Sequence, residues 1–371
     1  MVESAMPNKK SIPEIMPLTG LRGVAAWWVV LYHFHLYFHP LVPTWFSDFI
    51  ARGYLAVDLF FILSGFVLFL NYARFFEQLT LDGFRKFMVA RFARIYPLHL
   101  TVCLIFLVNP LAIHLFSSDG VIGGRYDPTY YVAMIFLVQN WGWSETLAWN
   151  IPAWSISTEW FAYLVFPFLV LLVQGCLRSK RFLVPAIVAI ALVIYLLFWS
   201  FGTDSIGQNI QKYGLVRCVI QFALGMVACK FFLVTRHWTI KLWPVYLAGF
   251  AATVLMTVFL DLPDFMLLPA GFVMLILGLS DPRLIWPRLF NNPVFVYLGV
   301  ISYSTYLFHY FVKDWVKFLL IPDDGQAGWG VILVYLAAVF VSSVILYHLI
   351  EKPGRSFVRK IRFRRTAAVQ E

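Results

Sequence analysis

Arg22 and His33 lie eleven residues apart in LTGLRGVAAWWVVLYHFHLYFHP, residues 18–40. On an α-helix that is about three turns, roughly 16 Å, and it returns to nearly the same face. The two side chains are therefore expected to point into one space. Ionisable groups inside an apolar helix are costly and mark interior functional sites. An imidazole there is a candidate base, and a guanidinium a candidate anion holder. His35 and His39 lie further along, nearer the end of the apolar stretch, and carry less weight.

Four further polar clusters interrupt apolar segments. Asp58 precedes FFILSGF, residues 60–66, where Ser64 and Gly65 also suit close helix packing. RFARIYPLH, residues 91–99, places Arg91 and Arg94 one turn apart, a spacing suited to clamping phosphates with paired guanidinium forks. WSISTEW, residues 154–160, carries Glu159, a lone carboxylate that demands a partner. A histidine of the first span is the expected one, since a carboxylate on one imidazole nitrogen makes the other a better base. SYSTYLFH, residues 302–309, puts Ser302, Tyr306 and His309 on one helical face. Arg217 and Glu351 complete the set. His309 and Asp314 also spell HxxxxD, a two-residue pattern common by chance and read as accidental. The sequence contains no GxSxG, Walker loop, HExxH or CxxC, and no intramembrane acidic pair suited to a metal.

The elements that position these groups are apolar. The chain has 371 residues, 61% hydrophobic and 13% charged, with a mean hydropathy of +0.77. Soluble domains run at about 25% charged. The composition is that of a polytopic all-α membrane protein. The net charge of +10 sits in short loops and the C-terminal tail, where the positive-inside rule puts it, and implies no nucleic-acid partner. Cys103, Cys176, Cys218 and Cys229 lie in or beside apolar segments and imply no disulfide framework. Windows of about twenty residues predict ten spans, near 16–38, 54–72, 96–116, 154–173, 182–201, 213–233, 242–260, 265–279, 293–311 and 329–350. The basic loop 74–94 is expected to be cytoplasmic. Segment 130–138 is short, and parity makes it re-entrant or interfacial, so both termini face the cytoplasm. Residues 1–15 form a polar N-terminal segment, 16–351 the transmembrane domain and 352–371 a basic tail. The first apolar stretch is too long for a signal-peptide core and is expected to be retained.

Taken together, Arg22 with ten residues before His33, then FFxxSGF, RxxRIxP, WSxSxEW, SYxxYxxH and EKP (Glu351–Pro353), occur in that order across nearly the whole chain. This pattern resembles the membrane-bound acyltransferase-3 family, whose members O-acylate bacterial lipopolysaccharide, exopolysaccharide and related glycans. The short basic tail resembles the type without an appended esterase-like domain. The resemblance implies a multi-pass protein of the bacterial inner membrane that moves an acyl group, usually acetyl, from cytoplasmic acyl-CoA to a hydroxyl of a glycan or lipid-linked glycan. No permanently bound cofactor is implied. His33 would be the base, oriented by Glu159. Arg91 and Arg94 would meet the CoA phosphates, and Arg22 the pantetheine arm or the oxyanion. Asp58, Ser64, Ser302, Tyr306 and His309 would support or position the acceptor. A general base explains the residues with fewer assumptions than an acyl-histidine intermediate. The competing classes are a proton-coupled secondary transporter, against which no internal repeat is visible, and a glycosyltransferase relying on Asp323 and Asp324.

Overall fold

A computed structural model describes residues 14–39, 41–116, 124–238, 240–281, 290–322, 325 and 327–367. The Asp323–Asp324 pair lies outside the described residues. Every regular element among them is helical. The helices are α1 (Met16–His33), α2 (Thr44–Ala51), α3 (Ala56–Tyr72), α4 (Leu81–Phe106), α5 (Val108–Phe116), α6 (Pro128–Ile135) and α7 (Trp154–Cys176). They continue as α8 (Leu183–Ser200), α9 (Ile210–Thr235), α10 (Trp243–Phe259), α11 (Asp264–Ser280), α12 (Pro293–Val300), α13 (Ser302–Leu320), α14 (Trp329–Leu346) and α15 (Lys352–Ala367).

Six helical stretches among the described residues are long and apolar enough to cross a membrane. A seventh forms if α12 and α13, bent by 67° at Ile301, count as one span. Three of the ten expected spans fall short of that test. Helices α10 and α11 have 17 residues each. Helix α1 has the length, but Arg22 and His33 lower its hydropathy. The helix that carries Arg22 and His33 is thus among those least like an ordinary span.

The expected loop 74–94 is mostly helix. Thr80 caps α4, its hydroxyl accepting from the Gly83 N–H at 3.1 Å, so Arg85, Lys86, Arg91 and Arg94 all ride on helix. Segment 130–138 is not a span: α6 has eight residues, about 12 Å, capped by Asp127. Burial ranks the helices. The apolar window of Thr44–Phe76 is 72% buried, whereas that of Lys180–Ser200 is 17% buried. Helix α3 therefore sits at the centre, packed on α9 and against α1, and α8 faces outward.

Two close crossings set the frame. Gly65 of α3 and Gly225 of α9 let those backbones touch, since a Cβ on either would overlap a carbonyl of the other helix. Gly23 of α1 meets Gly299 of α12 in the same way, and this crossing sets Arg22 beside Ser302. Gly299→Ala would drive a methyl into the Thr19 carbonyl. The expected cost is about 1–3 kcal/mol of overpacking, read as a lower unfolding midpoint of the detergent-solubilised protein; an unchanged midpoint would show that the crossing relaxes freely.

Candidate active site

Helices α1 and α13 run in the same direction, and two contacts tie them. Arg22 Nη2 donates to Ser302 Oγ at 3.3 Å, and His33 Nδ1 faces His309 Nε2 at 3.1 Å. Eleven residues on α1 and seven on α13 each close on nearly the same face. The expected common face of Arg22 and His33 is thus the face turned to α13.

The histidine pair has a defined tautomer. His309 Nδ1 faces the Tyr306 carbonyl oxygen at 2.7 Å and that of Thr305 at 3.2 Å. Carbonyls only accept, so this nitrogen carries the proton, and in the neutral ring Nε2 holds a lone pair. That lone pair faces His33 Nδ1, which also faces the Val29 carbonyl at 3.0 Å. His33 Nδ1 therefore donates, and the lone pair of His33 falls on Nε2, which has no hydrogen-bond partner among the described residues. His309 is 1% exposed whereas His33 is half-buried, so only the second ring can meet a substrate. Tyr32 and Tyr310 flank His33 edge-on, with centroids at 4.9 and 5.3 Å.

Glu159 does not orient His33. Its carboxylate accepts from Ser64 Oγ at 2.5 Å. Glu159 projects from α7 toward Ser64 of α3. The role expected of a carboxylate is filled instead by backbone carbonyls acting through His309. The sequence carried that signal in SYSTYLFH, but a histidine acting as orienter is indistinguishable by residue type from one acting on substrate.

Arg91 and Arg94 diverge, because three residues on a helix leave a 60° offset. Arg94 is ion-paired with Glu351, whose other oxygen accepts from Ser304 at 2.8 Å. Glu351 ends a π-turn, Tyr347–Glu351, that swings it inward, and it is 2% exposed. Arg94 is thus not the free phosphate clamp expected of it. Arg91 donates to Tyr72 Oη at 2.8 Å and packs against the rings of Tyr72, Phe87 and Tyr163. Neither Arg91 nor Arg22 has a carboxylate within ion-pair distance among the described residues.

The remaining expected groups are largely occupied. Asp58 accepts from Arg217 at 2.7 and 2.6 Å and from Gln221 at 2.5 Å, and is 1% exposed, so it joins α3 to α9 and does not meet an acceptor. Tyr306 Oη bonds Ser155 Oγ at 2.7 Å and donates to the Pro152 carbonyl at 3.1 Å. Ser302 donates to the Gly299 carbonyl at 2.8 Å, and Ser64 is committed to Glu159. The HxxxxD pattern is indeed incidental: Asp314 pairs with Arg125, and His309 with His33. Residue-type reasoning did not single out Gln221, Ser304, Tyr310, Arg125 or Lys313, which lie outside its motifs or between their named positions.

A multi-pass helical membrane protein with a free imidazole nitrogen in its interior, and with Arg22 and Arg91 outside any ion pair among the described residues, is the class that fold and site define. The acyltransferase domain of the acyltransferase-3 type matches residues 18–348, and the chain belongs to that family. It is similar to "Putative O-acetyltransferase SACOL0978" of Staphylococcus aureus (strain COL), at 24% identity over 93% of this chain and 58% of the relative. It is also similar to "O-acetyltransferase OatA" of Staphylococcus aureus (strain NCTC 8325 / PS 47), at 23% identity over 94% of this chain and 58% of the relative. The chain thus spans a little under three-fifths of the length of these relatives. No solved structure gives a significant match.

Proposed function

We propose that the protein is an O-acyltransferase that carries an acyl group, acetyl in the simplest case, from acyl-CoA to a hydroxyl of a cell-surface glycan or its lipid-linked precursor. In this reading ten helices cross the bacterial inner membrane, both termini are cytoplasmic, and α1, α10 and α11 cross as short or polar spans held by their neighbours. Family membership supports the reaction class. The observation that carries the reading is the free Nε2 lone pair of His33, fixed by the Nδ1–H bond to His309.

The chemistry follows from that lone pair. His33 Nε2 takes the acceptor's hydroxyl proton as the oxygen attacks the thioester carbonyl. His309, accepting from His33 Nδ1–H, gains hydrogen-bond strength as His33 becomes cationic. Collapse of the tetrahedral intermediate breaks the C–S bond, and the proton leaves Nε2 for the departing CoA sulfur. Arg22 stands about 16 Å along α1 from His33, with Ser302 as its hydrogen-bond partner. It is suited to hold the polar pantetheine arm of a donor threading toward His33. Arg91, in the N-terminal half of the long α4, is a cation outside any ion pair among the described residues and suits the CoA phosphates.

Arg91→Ala is expected to raise the KM for acetyl-CoA about tenfold or more, as loss of a charge-assisted hydrogen bond implies, with kcat nearly unchanged. An unchanged KM would remove Arg91 from the proposed phosphate site. The reading as a whole is tested by CoA release from acetyl-CoA, and by acetyl-CoA binding, with the purified wild-type protein. Binding followed by release supports it, and absence of both would favour a carrier.

A further inference from the structure

Beyond the histidine pair, toward the C-terminal end of α13, lies a charged cluster that the reaction has not used. Lys313 is one helical turn past His309 and shares its face. Its ammonium sits over the Tyr310 ring, 4.2 Å from the centroid, and Tyr310 in turn meets His33 edge-on at 5.3 Å. One aromatic ring thus separates the ammonium from the proposed base. Arg125 lies over the same ring at 5.5 Å and pairs with Asp314. Lys313, by contrast, makes no ion pair or hydrogen bond among the described residues. Lys317 follows one turn on, so among the described residues Arg125, Lys313 and Lys317 stand against Asp314 here, and this described cluster is cationic. Lys313 is half-buried, and the described opposite charge near it, Asp314, is already ion-paired with Arg125.

Topology does not account for this charge. The cluster is at the end of the bundle opposite Arg91, Arg94 and the basic helix α15, and the positive-inside rule places anchoring lysines at that other end. An unpaired cation beside a substrate-facing site is better explained by a ligand that brings the anion. We infer that Lys313, with Arg125, binds an anionic group of the acceptor, a carboxylate on the acceptor sugar or a phosphate on its lipid carrier, and so sets the hydroxyl at His33. Tyr32, half-buried and stacked on His35 at 5.6 Å, borders the same space beside His33. The inference rests on the reading of His33 as the base that meets the acceptor.

The test is equilibrium binding to the full chain in nanodiscs of neutral lipid, with three probes: a glucuronate-containing tetrasaccharide, its carboxyl-reduced neutral counterpart, and geranylgeranyl diphosphate. Wild type, Lys313→Gln and Lys313→Arg are compared, with acetyl-CoA binding read in the same preparations. One anionic probe is expected to bind wild type at least tenfold more tightly than the neutral sugar. The preference is expected to vanish in Lys313→Gln and return in Lys313→Arg. The tetrasaccharide as the preferred probe assigns the charge to the sugar, and the diphosphate assigns it to the carrier. Equal or undetectable binding of both anionic probes, or a preference that survives Lys313→Gln, overturns the inference. Loss of acetyl-CoA binding in wild type counts against the acyl-CoA reading instead, so the two failures are distinct.

Discussion

Replacing His33 by alanine is expected to lower acyl transfer by about 10²–10⁴-fold, the usual contribution of a positioned general base, while acetyl-CoA still binds. The expectation rests on one nitrogen. His33 Nε2 is the free lone pair of a chain in which carbonyl oxygens fix His309, and His309 fixes His33. Removing the imidazole leaves the acceptor hydroxyl without a base in an interior where water is scarce. Acetyl-CoA binding should persist, because Arg91 and Arg22 are held by Tyr72 and Ser302 and not by His33. Steady-state CoA release with an acceptor present, alongside binding, checks both halves. Turnover within a few-fold of wild type would remove His33 from the proposed mechanism.

The largest stability effect is expected at Asp58 and Arg217. These residues are 1% and 2% exposed, bidentate at 2.7 and 2.6 Å, and they join α3 to α9 at the centre of the bundle. Arg217→Ala leaves the Asp58 carboxylate with Gln221 alone, and breaking a buried pair this way costs about 3–5 kcal/mol. Asp58→Leu with Arg217→Met removes both charges and is expected to recover most of that loss, since apolar replacement of a buried pair is often neutral. Thermal unfolding in detergent reads both variants. Equal losses in the single and double variants would mean that the pair itself, and not the stranded charge, supplies the stability.

Much of the helical plan is readable from composition, because a bilayer forces apolar, internally bonded segments. The polar helix α1 was found through its apolar stretch, although its charges keep it from passing as an ordinary span. Boundaries were less legible. The basic run before Pro97 reads as loop by charge, yet Thr80 caps a helix that carries it. Within the site, spacing along one helix predicted that Arg22 and His33 share a face, and α13 meets both. Partner choice across helices was not predictable. Glu159 has the chemistry to orient an imidazole, but on α7 it meets Ser64 of α3, and Glu351 reaches Arg94 at the end of a π-turn that no residue pattern announces. Lys313 is a named position of no motif, and its place over Tyr310 is what draws attention to it.

The central claim is that His33 and His309 act as one base. Rates of acetyl-CoA-dependent CoA release for His33→Ala, His309→Ala and the double variant test it most directly. Residues that act as a unit are non-additive, so the double variant is predicted to be no slower than His33→Ala alone. Losses that multiply, with the double variant slower by the product of the two single effects, would show that the histidines act separately and would contradict the account.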